Sequence, residues 1–350
     1  MFQKYKAKNK KPLSVSVLIP SHNEEKSIYR CVKSILDQTI KPNQIIVIND
    51  GSQDKTLEIL ESFDNKVTVV DLAKNTGNKS YAQEFGLWFI DGDIFISTDA
   101  DTILDKYFIE NILSNFNDKK VAAVCGYVKS TKYNWLTACR EIDYAIGQGI
   151  HKLAQSYIRF IVVIPGCAAA FRTDIFRQYV SFDHDTITED LDFTYKLNEQ
   201  GFKIAYNKKA FVYTQDPADL KSYICQMKRW YGGGWQNLSK HLKVLEKPQS
   251  AVELSSTYFE GLVFPATLIM LPFVSIIRFG EVILFYLFVC FLMSIYASIA
   301  SKRFDLIFYA PLYLFIMLIN SAVFVTEFVK EIVLKRKNLF WFQPVRREGI

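Results

Sequence analysis

The chain has 350 residues, half of them hydrophobic, and a formal net charge of +6. This length exceeds one average domain and accommodates one large catalytic domain plus a second region. The basic excess sits at the ends, with five lysines and no acid in residues 1–12 and six basic against two acidic residues in 330–350. The remainder is therefore slightly acidic, which excludes a nucleic-acid-binding stripe along the domain. Beside apolar helices, such basic ends fit the anionic cytoplasmic face of a membrane, although residues 4–11 equally suit a solvated tail. The four histidines form no cluster, and Cys31, Cys125, Cys139, Cys167, Cys225 and Cys290 form no Cys-x-x-Cys pair. Reduced thiols of a cytosolic domain are expected, and the N-terminal residues show no signal-peptide core.

Residues 14–20 read as a β-strand, followed by a helix entry at Ser21-His22-Asn23-Glu24-Glu25 and a helix to about residue 38. Residues 44–49 form a second strand that runs into Asp50-Gly51-Ser52-Gln53-Asp54 and a helix over 55–62. A third strand over 66–72, a helix over 79–89 and a fourth strand over 93–97 follow, the last ending in Thr98-Asp99-Ala100-Asp101. Such alternation predicts a mostly parallel sheet with helices on both faces, and ligands then bind beyond the carboxyl ends of the strands. Ser21, Asn23, Asp50, Asp99 and Asp101 fall at those ends.

Further on, residues 121–127 read as a strand and 135–158 as a helix with polar inserts. Residues 165–172 are a run of small side chains, suited to close backbone approach to a ligand or to tight packing. Helices are expected over 190–199, with Asp190 at its start, and over 217–238. The second carries Gln226, Arg229 and Trp230 at i, i+3 and i+4, on one face. Gly232 to Gly234 would let this helix bend, or pack closely against a neighbour. Three apolar stretches at 258–277, 282–299 and 306–325 each approach the ~20 residues that cross a bilayer.

Paired carboxylates at Asp99 and Asp101 suit a hard divalent cation, Mg2+ or Mn2+, held jointly with diphosphate oxygens. Asp190 is a candidate base for a hydroxyl nucleophile, with Asp192 off that face. Asp50 could accept a hydrogen bond from a nucleobase, Lys79 and Arg229 could meet phosphate oxygens, and Trp230 offers a sugar a flat face. Each also has a structural reading: a turn Asp, a helix-start acid, a solvated lysine, a buried Arg-Trp pair.

Together, Ile19-Pro20-Ser21-His22-Asn23-Glu24-Glu25, Asn49-Asp50-Gly51-Ser52-Gln53-Asp54, Asp99-Ala100-Asp101, Thr188-Glu189-Asp190 and Gln226-x-x-Arg229-Trp230 resemble the motif set of the family 2 inverting glycosyltransferases. The resemblance is to the membrane-embedded branch, which includes cellulose, chitin, hyaluronan and poly-N-acetylglucosamine synthases and ceramide glucosyltransferase. It implies an α/β, Rossmann-like GT-A domain with a mostly parallel sheet, followed by C-terminal transmembrane helices. It also implies a nucleotide-sugar donor, most often a UDP-sugar, with Mg2+ or Mn2+ and inversion at the anomeric carbon. By motif position Asp190 is the general base. Pro20, Asn23, Glu24, Asp50, Lys79, Asp99, Asp101 and Arg229 bind the donor, Asp99 and Asp101 holding the metal. Gly166, Cys167, Glu189, Gln226 and Trp230 line the acceptor side.

The expected organisation is a basic tail (1–12), the GT-A domain (13–250), about three membrane helices (251–329) and a second basic tail (330–350). The expected partners are a saccharide or lipid acceptor, membrane lipids and, in one reading, a second copy of the chain, but no nucleic acid. The catalytic domain is expected on the cytoplasmic face of an integral membrane protein. Two departures bear on this. Asn49 stands where many members carry Asp, and no membrane helix precedes the domain in this sequence. Three helices are too few to enclose a polymer channel, so the chain either oligomerises as a processive synthase or modifies a lipid or short acceptor. A non-catalytic membrane scaffold is the alternative from another class. Three spans would put the tail outside, whereas Lys335-Arg336-Lys337 favours the inside. One stretch being re-entrant or interfacial would reconcile these, and residues 338–347 have interfacial character.

Overall fold

A computed structural model describes residues 12–339 and Arg347. The expected N-terminal basic tail therefore lies outside the described residues, as does most of the stretch 338–347. The first half reads β1 (Val15–Ser21), α1 (Ile28–Leu36), β2 (Gln44–Asp50), α2 (Thr56–Glu61), β3 (Thr68–Leu72), α3 (Lys79–Leu87) and β4 (Ile94–Ser97). The second half of the domain adds β5 (Thr102–Leu104), α4 (Phe108–Ser114), β6 (Val121–Ser130), α5 (Trp135–Ile146), α6 (Lys152–Ile158), β7 (Ala169–Arg172), α7 (Thr173–Tyr179), α8 (Glu189–Glu199), β8 (Lys203–Thr214) and α9 (Leu220–Lys240). Three long helices close the chain: α10 (Pro248–Val274), α11 (Ile276–Ser301) and α12 (Ala310–Phe328).

All eight strands join one mixed sheet in the order β3-β2-β1-β4-β7-β6-β8-β5. Strands β1 to β4 pair in parallel, while β7 runs antiparallel to β4 and β6, and β5 antiparallel to β8. Strands β1, β2 and β4 are near-continuous apolar runs because both of their faces are covered. In β1 the alternation decides the layers. Val17 and Ile19 pack with Ile28, Val32 and Ile35 of α1, whereas Leu18 faces Ala82 of α3 and Phe95. The sheet order turns at β1 and β4, and the crevice between their carboxyl ends is where such a sheet binds ligands.

Several expectations needed correction. Helix α1 starts only at Ile28, because Asn23 takes a left-handed turn with φ 51°. The helix expected over 135–158 forms and stays helical throughout, with a wider π-helical turn at Gly147–His151 between α5 and α6. The small-residue run becomes a tight turn at Gly166–Ala168 and then β7, which reaches the sheet centre because Ala169 and Ala170 are small enough for a fully covered strand. Strands β5 and β8 and helices α4 and α7 had no clear sequence signal. Helix α9 neither bends nor unwinds at its glycines. They admit neighbours instead: a Cβ at Gly233 would overlap the Thr188 side chain, and one at Gly234 would press on the Tyr258 hydroxyl.

Among the described residues, three helices are long and apolar enough to cross a membrane, Pro248–Val274, Ile276–Ser301 and Phe304–Val333. Phe273 is 88% exposed and Ile277 72%, exposure that only a nonaqueous surrounding makes inexpensive. Helix α12 lies against the domain along α9, and α11 packs on α5 through Cys290 and Ala297, whereas α10 is the least covered of the three. The Tyr313 hydroxyl donates to Asp143, Tyr223 donates to Asn320, and Phe324 packs on Tyr231 and Trp235. Beyond it, Arg347 donates to the Asp216 carbonyl.

Candidate active site

The donor side is built by the loops that leave β1, β2 and β4. After β2 the chain turns at Gly51, whose φ of 62° and whose closeness to the Lys74–Asn75 backbone exclude a side chain. The turn leaves the Asp50 carboxylate buried, accepting from Thr76 N and Thr76 Oγ1, both at 2.8 Å. A carboxylate offers about four lone-pair sites, so capacity remains for a ligand. Asn49 donates to Asp71 at 2.7 Å, which explains an amide at this position in place of an acid.

Asn23 and Glu24 tie the first loop to the second. Asn23 N donates to Ser52, Gln53 N donates to the Asn23 side chain, and Glu24 N donates to Thr56. The Glu24 carboxylate accepts from Ser27 at 2.5 Å, and Pro20 lies buried within β1. These three residues shape the crevice beside Asp50.

Asn78 caps α3 and places Lys79 in its first turn. The Lys79 ammonium sits 2.6 Å from Asp99 and 3.0 Å from Glu189, so it is neither solvated nor free. Burial opposes its charge, but Asp99 and Glu189 hold its pKa well above the ordinary lysine value. Gly166 lies at the point of convergence. A Cβ there would be 3.2 Å from Lys79 Nζ, 3.8 Å from Asp190 Cβ and 4.0 Å from Glu189 Oε1. The Cys167 thiol, raised first by burial and then by Asp99 and Asp101, feels Lys79 and Asp190 as well. The sequence-predicted residues of β4, α3, the 166–167 turn and α8 thus meet in one crevice.

Asp190 starts α8, and Leu191 N donates to its carboxylate at 2.9 Å. Burial and then the Glu189 carboxylate push Asp190 up to about 6, against the pull of Lys79 and Arg229. That value suits a group that must take up a proton near neutral pH. Thr188, just before it, is clamped by Asn237 of α9 through both its carbonyl and its hydroxyl.

The acceptor side is carried by α9. Gln226 Oε1 is buried and has no protein hydrogen-bond partner among the described residues, an orphan acceptor that a ligand hydroxyl would satisfy. The Arg229 guanidinium lies close enough to Asp190 to lower its pKa. Trp230 is partly buried, and one face is covered by the Arg140 guanidinium at 4.8 Å. Sequence reading missed Arg140, Thr76 and Lys152. Lys152 is a buried lysine that donates to the Val163 carbonyl, its pKa lowered by burial. Arg140 stands beside Glu141 and Asp143 in the sequence, so no local signal singled it out.

The crevice is acidic and offers hard oxygen donors. Asp99, Asp101, Glu189 and Asp190 outnumber Lys79 and Arg229, and all donors are hard oxygens. Among the described residues, the acidic group whose ligand atoms are spaced for an ion is Asp183, Asp185 and Asp192. Lys240 reaches all three carboxylates at 2.6–2.7 Å, and Lys196 reaches Asp183 and Asp192. Those lysines already neutralise it.

A family model described as glycosyltransferase like family 2 matches residues 12–233. The chain is 28% identical over 246 residues to an N-acetylglucosaminyltransferase of Azorhizobium caulinodans, covering 66% of this chain and 62% of that protein. It is 31% identical over 231 residues to a poly-beta-1,6-N-acetyl-D-glucosamine synthase of Staphylococcus aureus, covering 64% of this chain and 55% of that protein. Both matches thus span less than two thirds of the relatives' length. A solved mannosyltransferase from Pyrobaculum calidifontis, in complex with GDP-Man and Mn2+, has the same fold. Its TM-score is 0.68 at 18% identity, covering 95% of this chain and 92% of that one.

Proposed function

The chain belongs to glycosyltransferase like family 2, and from that premise we propose that it is a membrane-bound inverting glycosyltransferase. It moves N-acetylglucosamine from the UDP-sugar to a saccharide acceptor, with Asp190 as general base. The observation that carries this reading is the meeting of Lys79, Glu189 and Asp190 around Gly166, with Asp190 held near 6. The choice of sugar rests on the two relatives named for N-acetylglucosamine.

Asp50, fixed by Thr76, accepts from the nucleobase. Lys79 and Arg229 face the diphosphate. Asp99 and Asp101 hold Mg2+ or Mn2+, which when bound supplies Lewis-acid neutralisation of the leaving diphosphate. Gln226 orients an acceptor hydroxyl, and the open face of Trp230 carries the acceptor ring. Asp190 removes the hydroxyl proton as the new bond to the anomeric carbon forms and the bond to the diphosphate breaks. One displacement inverts the centre.

Helices α10 and α11 form a spanning hairpin, and α12 lies at the interface along α9. Two spans return the chain to the side of the catalytic domain, in keeping with the contact of Arg347 on Asp216. The basic residues around Lys302, Lys330 and Lys335 then fall on that same, cytoplasmic, face. Membranes carrying the protein, radiolabelled UDP-N-acetylglucosamine, UDP-glucose and GDP-mannose, and product sizing test the proposal. Incorporation from UDP-N-acetylglucosamine into a saccharide ladder is expected. A single organic-extractable product would replace the saccharide acceptor with a lipid, and no transfer from any donor would sink the enzyme reading.

A further inference from the structure

Arg140 is the most deeply placed cation beside the acceptor side. It lies on α5 and is only 3% exposed. Its Nη1 donates to Asp143 at 2.9 Å and its Nε to Asp216 at 3.3 Å. Three aromatic rings surround the guanidinium: Tyr144 at 4.7 Å, Trp230 at 4.8 Å and Tyr223 at 5.7 Å. The carboxylates are themselves anchored. Tyr144 donates to Asp216, and Tyr313 of α12 donates to Asp143 at 2.8 Å.

The surroundings make this placement costly. Leu136, Ile142, Met227, Cys290 and Ala297 form a continuous apolar core here, between the domain and the long helices. Apolar side chains in place of Arg140, Asp143 and Asp216 together would fill the space without desolvating a cation and two carboxylates. What an apolar residue lacks is a planar group whose orientation over the indole is fixed by hydrogen bonds, as Asp143 and Asp216 fix the guanidinium over Trp230. A stacking platform for a sugar discriminates only when its plane is set before the ligand arrives.

We propose that Arg140 is a positioning residue that fixes the ring plane of Trp230, so that only the opposite face receives the acceptor sugar. Asp216 and Asp143 hold the guanidinium, and through Tyr313 the platform is tied to α12 and so to the membrane. The assignment deepens the glycosyltransferase reading and rests on it for the identity of the ligand. It does not rest on it for the geometry.

The test uses the full chain in lipid nanodiscs. Arg140→Lys keeps the charge and the carboxylate partners but loses the planar stack. The near-UV circular dichroism of Trp230 is defined by the difference between wild type and Trp230→Phe. Arg140→Lys is expected to abolish most of that difference signal. With UDP-N-acetylglucosamine and a tetramer of N-acetylglucosamine as probes, the acceptor KM should rise about tenfold. The donor KM should stay within about twofold. Tyr313→Phe, which only loosens Asp143, should move both readouts in the same direction by less, and it carries the test if Arg140→Lys does not fold. An unchanged Trp230 signal with an unchanged acceptor KM overturns the assignment, as does an equal rise in both KM values. Should the wild type transfer no sugar, the enzyme reading fails, while the Trp230 signal still decides the positioning role.

Discussion

The donor half and the acceptor half of this crevice are built by different means. Around β1 to β4, each chemical group follows a strand end, and its partners lie on neighbouring strand ends: Asp50 with Thr76, Asn49 with Asp71. On the acceptor side the groups come from helices α8 and α9, which are set by packing on each other and on α12. Thr188 rests on Gly233, Asn237 clamps it, and Trp235 inserts between Tyr258, Phe324 and Phe328. A local defect should therefore stay local in the donor half and spread in the acceptor half.

Asp190 belongs to both halves, and its loss should have the largest effect. Asp190→Asn is expected to lower transfer by about 10²–10⁴-fold, while titration calorimetry still reports UDP-N-acetylglucosamine binding. Turnover at the wild-type rate would remove Asp190 from the mechanism. Asp101→Ala acts on the donor side alone. Metal-dependent transfer and donor hydrolysis should both fall by roughly a hundredfold, with thermal stability preserved.

The pH profile tests the coupling of the two halves at Asp190. The base must be unprotonated, and its pKa is raised to about 6, so activity is lost as pH falls through that value. Below it kcat/KM should drop about tenfold per unit, with a plateau above. Because the Lys79 ammonium opposes the rise, Lys79→Met should carry the limb to higher pH.

Two smaller changes compare the halves directly. Gly233→Ala drives a methyl into Thr188, next to Glu189 and Asp190, and should destabilise by about 1–3 kcal/mol. It should also slow transfer, because the displaced residue adjoins the base. Asn49→Asp replaces the donor to Asp71 by a second carboxylate, and should cost about 1 kcal/mol at neutral pH. Its transfer rate per folded molecule should hardly change. Equal losses of rate in these two variants would erase the contrast between the halves.

The same contrast explains what could be read in advance. Strands β1, β2 and β4 were legible because parallel strands covered on both faces must be apolar throughout. β7 was not, since Ala169 and Ala170 read as packing or a loop until the sheet supplies a neighbour on each side. The helical face of Gln226, Arg229 and Trp230 followed from spacing, but its Arg140 cover did not. Lys79 carried an open choice between phosphate contact and solvent, and its ion pairs with Asp99 and Glu189 remove only the solvated reading.

By itself, the sequence determined the alternation of the first half, the candidate metal, base and platform residues, and three helices apolar enough for a bilayer. Periodicity suffices there, because it records which side of each element is buried. Only the tertiary structure decided that Gly232 to Gly234 receive neighbours instead of bending α9, that α12 lies along the domain, and that Lys79 and Arg140 are buried beside carboxylates. These depend on how residues far apart in the chain share desolvation and charge, which no local pattern encodes.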